Sequence, residues 1–140
     1  MYLLDTNLVS ELRKIRLGRA DENVVSWATS VDANDLYLSV ISVQEITIGL
    51  LLIERRDPAQ GAIFRTWLDD YVLPTFADRL LDVDLQVAQL SATLHVPDPR
   101  PIRDGLIAAT ALVHRMTVVT RNVSDFLPMG VSVLNPWEPR

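Results

Sequence analysis

Short apolar runs alternate along the chain with amphipathic segments, and most of the apolar runs end at polar residues. The first run, Met1–Leu4, has no polar alternation, which is typical of a strand buried on both faces in a parallel sheet. Comparable runs predict further strands at 36–40, 80–83, 117–120 and 131–134. The alternation of strands and helices predicts an α/β fold in which a central, mainly parallel sheet lies between two helical layers. Right-handed crossovers would place all strand carboxyl ends at one edge.

Helical spacing of apolar residues predicts helices at 8–15, 22–31, 42–56, 58–72, 85–94 and 102–113. Ser42 and Glu45 form a capping-box pattern, which would occupy the Glu45 carboxylate with the Ser42 amide. The fourth helix begins at Pro58, a favoured first helical residue. Its apolar stripe is expected to face the core: Ile63, Phe64, Trp67, Leu68, Tyr71 and Val72.

The composition limits the classes of site that the chain can form. Its 140 residues suit a single domain, 1–140, and it has no cysteine and only two histidines. A thiolate metal site is therefore excluded, and the separated His95 and His114 do not form a histidine cluster. No leader precedes the first strand, and no apolar run approaches the ~18 residues of a membrane span, so we expect a cytoplasmic protein that does not contact membranes.

The net charge of −5 is unusual for a protein that binds phosphates. This objection weakens if several carboxylates converge on divalent cations. The basic residues are nearly all arginine, which suits bidentate phosphate contacts, and one cluster consists of Arg13, Lys14, Arg16 and Arg19. Such a cluster is either a solvated face or a phosphate-binding surface, and the sequence leaves both interpretations open.

Acidic residues follow strands or begin helices at the predicted carboxyl edge of the sheet: Asp5, Glu45, Asp104 and Asp125, with Asn122 beside the last. Each is explicable alone as a cap. Together, however, like charges at one edge disfavour ionisation unless a cation compensates for them. Hard oxygen ligands suit Mg²⁺ or Mn²⁺. The pattern therefore indicates a divalent-metal site capable of phosphodiester hydrolysis.

Four motifs in order carry a family resemblance: Leu4-Asp5-Thr6-Asn7, Ser42-Val43-Gln44-Glu45, Asp104 to Ala111, and Thr120-Arg121-Asn122 through Phe126. The chain resembles PIN-domain ribonucleases, and most of all the VapC and FitB type toxins of bacterial type II toxin–antitoxin modules. The resemblance extends over the whole chain and implies a PIN-like three-layer α/β/α fold. It also implies Mg²⁺-dependent endoribonuclease activity, with Mn²⁺ as an alternative metal.

The resemblance also implies a role for individual residues. Asp5, Glu45 and Asp104 would be catalytic metal ligands, and Thr6, Asn7 and Thr120 would be the supporting polar residues that orient them.

Two departures from the family pattern matter. Asn122 stands where an acid is frequent, so Asp125 would either supply the missing charge as a further catalytic ligand or merely cap a turn. Arg103 stands where a small residue is common, so it would contact RNA phosphate, as Arg121 could, or pair with an acid.

The implied partners are RNA, a second copy of the chain and a cognate antitoxin, in a homodimer or a larger complex with the antitoxin. An antitoxin segment would fill a groove near the acids. Ile46, Leu50 and Ile53 on the third helix are candidates for that surface or for a dimer contact, and packing within the chain is the alternative. A non-catalytic PIN-fold binding protein is the rival function, although such a protein has no chemical reason to keep three repelling acids.

Overall fold

Parallel strands form one central sheet in the computed structural model, which describes residues 1–139. The strand order is β3-β2-β1-β4-β5, and each pair of neighbours is parallel. The strands are β1 Tyr2–Leu4, β2 Leu36–Ser39, β3 Leu80–Leu81, β4 Thr117–Val119 and β5 Val133–Leu134. The predicted α/β class and parallel sheet are confirmed. Most of the strands are shorter than predicted, because residues such as Val40 already belong to the following segment.

Helices cover the connections between the strands. Their bounds are α1 Thr6–Ile15, α2 Glu22–Ser30, α3 Val40–Arg56, α4 Pro58–Trp67, α5 Leu73–Thr75, α6 Leu85–Leu94, α7 Ile102–His114 and α8 Val123–Phe126. Aspartates cap several of them; the Asp84 carboxylate, for example, accepts from the Val87 amide at 2.9 Å. None of the described helices is both long enough and apolar enough to cross a membrane.

The core lies on both faces of the sheet. Leu3 and Leu4 in β1 are both fully buried, and they point to opposite faces because side chains alternate along a strand. Leu4 joins a cluster with residues of α1, α2 and α3, whereas Leu3 joins residues of α7 and α8. This separation into two clusters confirms the predicted three layers, and it places the carboxyl end of the central strand between helical walls.

The predicted capping box at Ser42 is wrong. Helix α3 begins at Val40, and its cap is Ser39, whose hydroxyl accepts from the Ile41 amide at 3.0 Å. Ser39 takes this role because β2 ends there, so the chain turns three residues before the expected cap. Ser42 is instead a buried residue inside the helix. Glu45 consequently lies beyond the first turn of α3, and its carboxylate is available for other contacts.

The predicted apolar stripe of the fourth helix is partly wrong. Ile63 and Tyr71 are 55% and 43% exposed, whereas Leu68 and Val72 are buried. For Tyr71 the reason is a π-helical turn over Leu68–Val72, which follows α4 and leads into α5. Ile63 precedes this turn and lies on the solvent-exposed side of α4. A π turn has more residues than an α turn, so it rotates the later side chains relative to the stripe that an α-helix would present.

Candidate active site

Asp5 lies at the end of the central strand and is also the cap of α1. Only 6% of its surface is exposed. One carboxylate oxygen, Oδ1, accepts from the Thr6 amide at 2.8 Å. The other, Oδ2, accepts from the Thr120 hydroxyl at 2.8 Å and from the Asn7 side-chain amide at 3.5 Å. The capping contact thus occupies one oxygen, and side chains from two elements fix the other.

Thr120 is the centre of the hydrogen-bond network that holds Asp5. Its side chain follows β4 and is fully buried. The hydroxyl donates to Asp5 and accepts from the Asn122 backbone N–H at 3.0 Å and from Asn7 Nδ2 at 3.3 Å. Asn7 Oδ1 in turn accepts from the Arg121 backbone N–H at 3.4 Å. The structure therefore brings together two of the predicted supporting residues, Asn7 and Thr120, around Asp5.

Glu45 reaches the same edge of the sheet from α3. Its Oε1 accepts from the Thr6 hydroxyl at 3.0 Å, which joins the start of α1 to α3. Its Oε2 lies 3.6 Å from Nη1 of Arg103, which precedes Asp104 in the first turn of α7. This ion pair is half-exposed on the arginine side, where 49% of the side chain contacts solvent. The structure thus places Arg103 on an acid of the cluster.

The remaining acids act electrostatically on the same site. Burial, together with the charges of Asp5, Asp125 and Glu45, raises the pKa of Asp104 to about 6. Burial likewise raises the pKa of Asp5, although hydrogen bonds from Thr120 and Thr6 oppose the rise. Glu45 and Asp125 add a smaller upward effect on Asp5. Four carboxylates therefore lie within electrostatic reach of one another.

Asn122, Asp125 and Arg121 lie near the carboxylate cluster and differ in their surroundings. Asn122 is exposed, and its side chain makes no capping bond to α8. Asp125 is also exposed, and its charge reaches Asp5 and Asp104. The guanidinium of Arg121 lies 5.3 Å from the centre of the Trp137 ring, so it stacks on the C-terminal segment. The charge of Asp125 therefore acts on Asp5 and Asp104, and the side chain of Arg121 lies at the edge of the site.

The chemistry of these donors fits a hard divalent cation. Carboxylates that repel one another and are partly withdrawn from water gain from a positive charge between them. Among residues 1–139, however, no three acidic or imidazole side chains lie in positions that could hold a metal ion together. The two observations are compatible, because electrostatic repulsion acts over longer distances than metal ligation. Glu45 is meanwhile held by Thr6 and Arg103.

A groove of about 250 Å³ opens beside Glu45 between α1, α3 and α4. Ile46, Leu50 and Ile53 line it, but Ile46 and Leu50 are only 8% and 3% exposed. Both residues therefore belong chiefly to the core, which agrees with the alternative of packing within the chain. They form the floor of the groove. The sequence interpretation missed Ser10 as a wall residue, although its spacing of four from Thr6 puts both on one face of α1.

Replacing Asp104 with asparagine is expected to stabilise the protein in metal-free buffer. The raised pKa means that the folded state binds this proton more tightly than the unfolded state, so wild-type stability falls as pH rises from about 4 to 6. Because Asp104 is partly solvated, we expect a gain of only about 1 kcal/mol, or 2–4 °C in melting temperature, near neutral pH. Thermal unfolding with EDTA measures it. The gain should disappear near pH 4, and a gain that is equal at both pH values would refute its electrostatic origin.

Known proteins resemble this chain over most of its length. The family model described as the PIN domain matches residues 2–126. The chain is 38% identical over 146 aligned positions to the VapC ribonuclease Y4jK of Sinorhizobium fredii, covering 99% of both chains. It is 37% identical over 143 positions to toxin FitB of Neisseria gonorrhoeae, covering 98% of this chain and 99% of that one.

The fold also matches a solved structure. The chain superposes on a chain of FitAB bound to an IR36 DNA fragment with a TM-score of 0.88 and 35% sequence identity. The match covers 100% of this chain and 98% of the other. Both the sequence and the path of the backbone are therefore similar over nearly their whole length.

Proposed function

The chain belongs to the PIN-domain family, in the branch of VapC and FitB toxins, and we propose that it is a divalent-metal-dependent endoribonuclease. The observation that carries the proposal is the convergence of Asp5, Glu45, Asp104 and Asp125, whose charges raise the pKa of Asp5 or Asp104. A cluster that is unfavourable without a cation is suited to binding one. In the cell, the protein would act as the toxin of a type II toxin–antitoxin module.

Asp5, Glu45 and Asp104 would hold the metal, with Asp125 and the Asn122 side-chain oxygen completing the donor set. Mg²⁺ is the expected ion, and Mn²⁺ is the alternative. When bound, the ion supplies the positive charge that activates water and stabilises the negative charge developing on the phosphate. Hydrolysis then joins a water oxygen to phosphorus and releases the 3′ oxygen, which takes up a proton. The products are a 5′-phosphate and a 3′-hydroxyl.

The supporting residues would keep the carboxylates in place for this reaction. Thr120 donates to Asp5 Oδ2 at 2.8 Å and is itself fixed by the Asn122 and Asn7 amides. Thr6 performs the equivalent task for Glu45 through its hydroxyl at 3.0 Å. Such outer contacts fix the direction of a ligand's lone pairs and raise metal affinity. The site is thus oriented by α1 and by the segment after β4.

Arg103 would have two successive contacts. In the free protein it pairs with Glu45 at 3.6 Å, where its positive charge partly neutralises the cluster. When a metal and RNA enter, the same exposed side chain can turn to a substrate phosphate, as Arg121 can from the other border. An arginine is suited to this exchange because its planar fork binds carboxylate and phosphate equally well.

Removing the Arg103 side chain is expected to strengthen metal binding and weaken RNA cleavage. Arg103→Ala frees Glu45 from a competing cation, and a half-exposed pair of this kind contributes at most about 1 kcal/mol, so Mn²⁺ affinity should rise about 2- to 5-fold. The Michaelis constant for RNA should rise in the same variant. Calorimetric Mn²⁺ titration and a cleavage assay measure the two effects. Arg55→Ala is the exposed control, and an Mn²⁺ affinity unchanged by Arg103→Ala would contradict the proposed competition.

The partner proposals rest on the relatives. The solved structures that resemble this chain include FitAB bound to an IR36 DNA fragment and a toxin–antitoxin complex from Klebsiella pneumoniae. We propose that an antitoxin segment occupies the groove between α1, α3 and α4, with Ile53 at its rim and Ile46 and Leu50 at its floor. We also propose a homodimer. Light scattering on the purified chain should give twice the monomer mass, and a monomer at all concentrations would rule out the dimer.

A cleavage assay on total cellular RNA tests the function itself. The purified chain, freed of copurifying partner, is incubated with Mg²⁺, with Mn²⁺ or with EDTA. Discrete fragments that require metal are expected, because the carboxylates alone cannot activate water. If clean, folded and metal-loaded protein cleaves none of the RNA classes, the non-catalytic binding function becomes the better account.

A further inference from the structure

A basic pocket lies at the end of α1 opposite to Asp5. It has a volume of about 420 Å³ and is lined by Arg13, Lys14, Leu17, Arg19 and Gln60. We call these residues the α1 basic pocket. Its lining includes three cationic side chains and one amide, in a chain whose net charge is −5. The pocket is therefore positively charged, whereas the molecule as a whole is negatively charged.

The cations of this pocket are not neutralised by neighbouring acids, with one exception. Lys14 pairs with Glu11 at 3.2 Å. Over residues 1–139, neither Arg13 nor Arg19 lies within ion-pair distance of a carboxylate. The Arg13 guanidinium lies 4.1 Å from the centre of the Phe64 ring, which holds its plane by stacking and leaves its N–H edge for another acceptor.

Stabilisation of the helix end does not account for the arginines. Basic residues in a last turn commonly interact with free carbonyl groups. In this helix the Lys14 carbonyl accepts from the Leu17 and Arg19 amides, both at 3.0 Å, and the Ile15 carbonyl accepts from the Gly18 amide at 3.1 Å. The last carbonyls are thus occupied by backbone donors, and the Arg13 side chain lies over α4 instead.

The pocket lies on the same stripe of α1 as the candidate active site. Thr6 and Ser10 line the groove beside Glu45, and Arg13 follows them at the next helical repeat. Arg13 follows Asp5 by eight positions, which corresponds to about 12 Å along the helix at about 1.5 Å per residue. A few nucleotides of RNA cover that distance.

We propose that the α1 basic pocket binds a backbone phosphate of the RNA substrate, a few nucleotides from the cleaved bond. The inference rests on the proposed ribonuclease function and adds a second anchor to it. RNA and this chain both carry a net negative charge and repel each other. A local cationic site near the carboxylates would offset that repulsion and hold the RNA. Gln60 offers an amide for an additional sugar or phosphate contact.

The test measures RNA binding without cleavage. The full chain carries Asp5→Asn, and the probes are fluorescein-labelled single-stranded RNAs of 2 and 12 nucleotides with mixed sequence. Fluorescence anisotropy at several NaCl concentrations compares this parent with Arg13→Gln/Arg19→Gln. The matched control is Arg55→Gln/Arg56→Gln, an exposed arginine pair at the end of α3.

The pocket double variant should bind the 12-mer about 10-fold more weakly, and its salt slope should fall by one to two, because each lost phosphate contact removes about one. Its affinity for the 2-mer should change less than about 2-fold, since so short a strand cannot span both sites. Arg19→Gln alone, an exposed change that removes no stacking, should give part of the loss and guards against misfolding. Equal 12-mer affinity and slope for parent and pocket variant would overturn the proposal, as would an equal loss in the control.

Failure of the inference is distinguishable from failure of the function. If the wild-type chain cleaves RNA with metal and Arg13→Gln/Arg19→Gln cleaves a long substrate with the same Michaelis constant, the pocket proposal is wrong and the ribonuclease stands. The pocket would then be free for another acidic partner, such as a segment of the antitoxin. If the wild-type chain neither binds nor cleaves RNA, both proposals are wrong.

Discussion

Asp5→Asn and Asp104→Asn are each expected to lower the single-turnover rate of RNA cleavage by about 10³-fold or more. Either change removes one negative charge and one oxygen donor from the carboxylate cluster. Both positions have a raised pKa because of burial and neighbouring acids, so each charge lies where a cation would experience it strongly. Cleavage of a labelled RNA containing a mapped site, at saturating Mg²⁺, measures the loss.

The amide variants also separate catalysis from folding. Asparagine has almost the same shape as aspartate, and at Asp104 the loss of a partly buried charge should leave the melting temperature equal or higher in EDTA. Asp70→Asn is the matched control and should cleave at the wild-type rate, because this exposed aspartate makes no side-chain hydrogen bond or ion pair with residues 1–139. Wild-type rates in both site variants would show that the cleavage comes from another site or from a contaminating nuclease.

Thr120→Val is expected to reduce metal affinity or cleavage rate by about 10- to 100-fold, the usual cost of losing a residue that orients a metal ligand. The change keeps the side-chain volume but removes the hydroxyl that donates to Asp5 Oδ2 at 2.8 Å. It also leaves the Asn122 backbone N–H, 3.0 Å from that hydroxyl, without its acceptor. Mn²⁺ titration together with single-turnover cleavage separates a binding defect from a rate defect.

A second buried threonine provides the control for this prediction. Thr110 is fully buried in α7, and its hydroxyl donates at 2.7 Å to the Leu106 carbonyl of the same helix. Thr110→Val should therefore leave Mn²⁺ affinity within about 2-fold of wild type, whereas Thr120→Ser should restore most of the loss, since it keeps the hydroxyl. An equal loss in Thr110→Val and Thr120→Val would mean that packing, and not orientation of Asp5, is responsible.

The sheet and the positions of the acids were predictable because local chemistry specifies them. A fully apolar run such as Leu3-Leu4 can be buried only between two layers, and Asp5 then follows at the strand's carboxyl end. Parallel strands with right-handed crossovers bring such ends to one edge whatever the details of the loops. For that reason the cluster of Asp5, Glu45 and Asp104 could be proposed without distances, and in the structure the charges of Asp5 and Glu45 raise the pKa of Asp104.

Other features of the fold could not be predicted, because the sequence allows two local structures or because the contact depends on tertiary packing. Ser39 and Ser42 are both good caps, and the end of β2 selects Ser39. The π turn over Leu68–Val72 has no composition that separates it from an α-helix, so the exposure of Tyr71 could not be foreseen. The contact of Arg103 with Glu45 joins residues 58 positions apart, and only the packing of α7 against α3 brings them together.

The chemistry of the cleaved ends tests the central claim most directly. Wild-type protein is incubated with a single RNA species in Mg²⁺ and in EDTA, and the fragment ends are identified by phosphatase treatment, ligation and mass spectrometry. Attack by water at phosphorus with release of the 3′ oxygen predicts 5′-phosphate and 3′-hydroxyl ends that form only with metal. Fragments with 2′,3′-cyclic phosphate ends, formed equally in EDTA, would contradict hydrolysis at the carboxylate site.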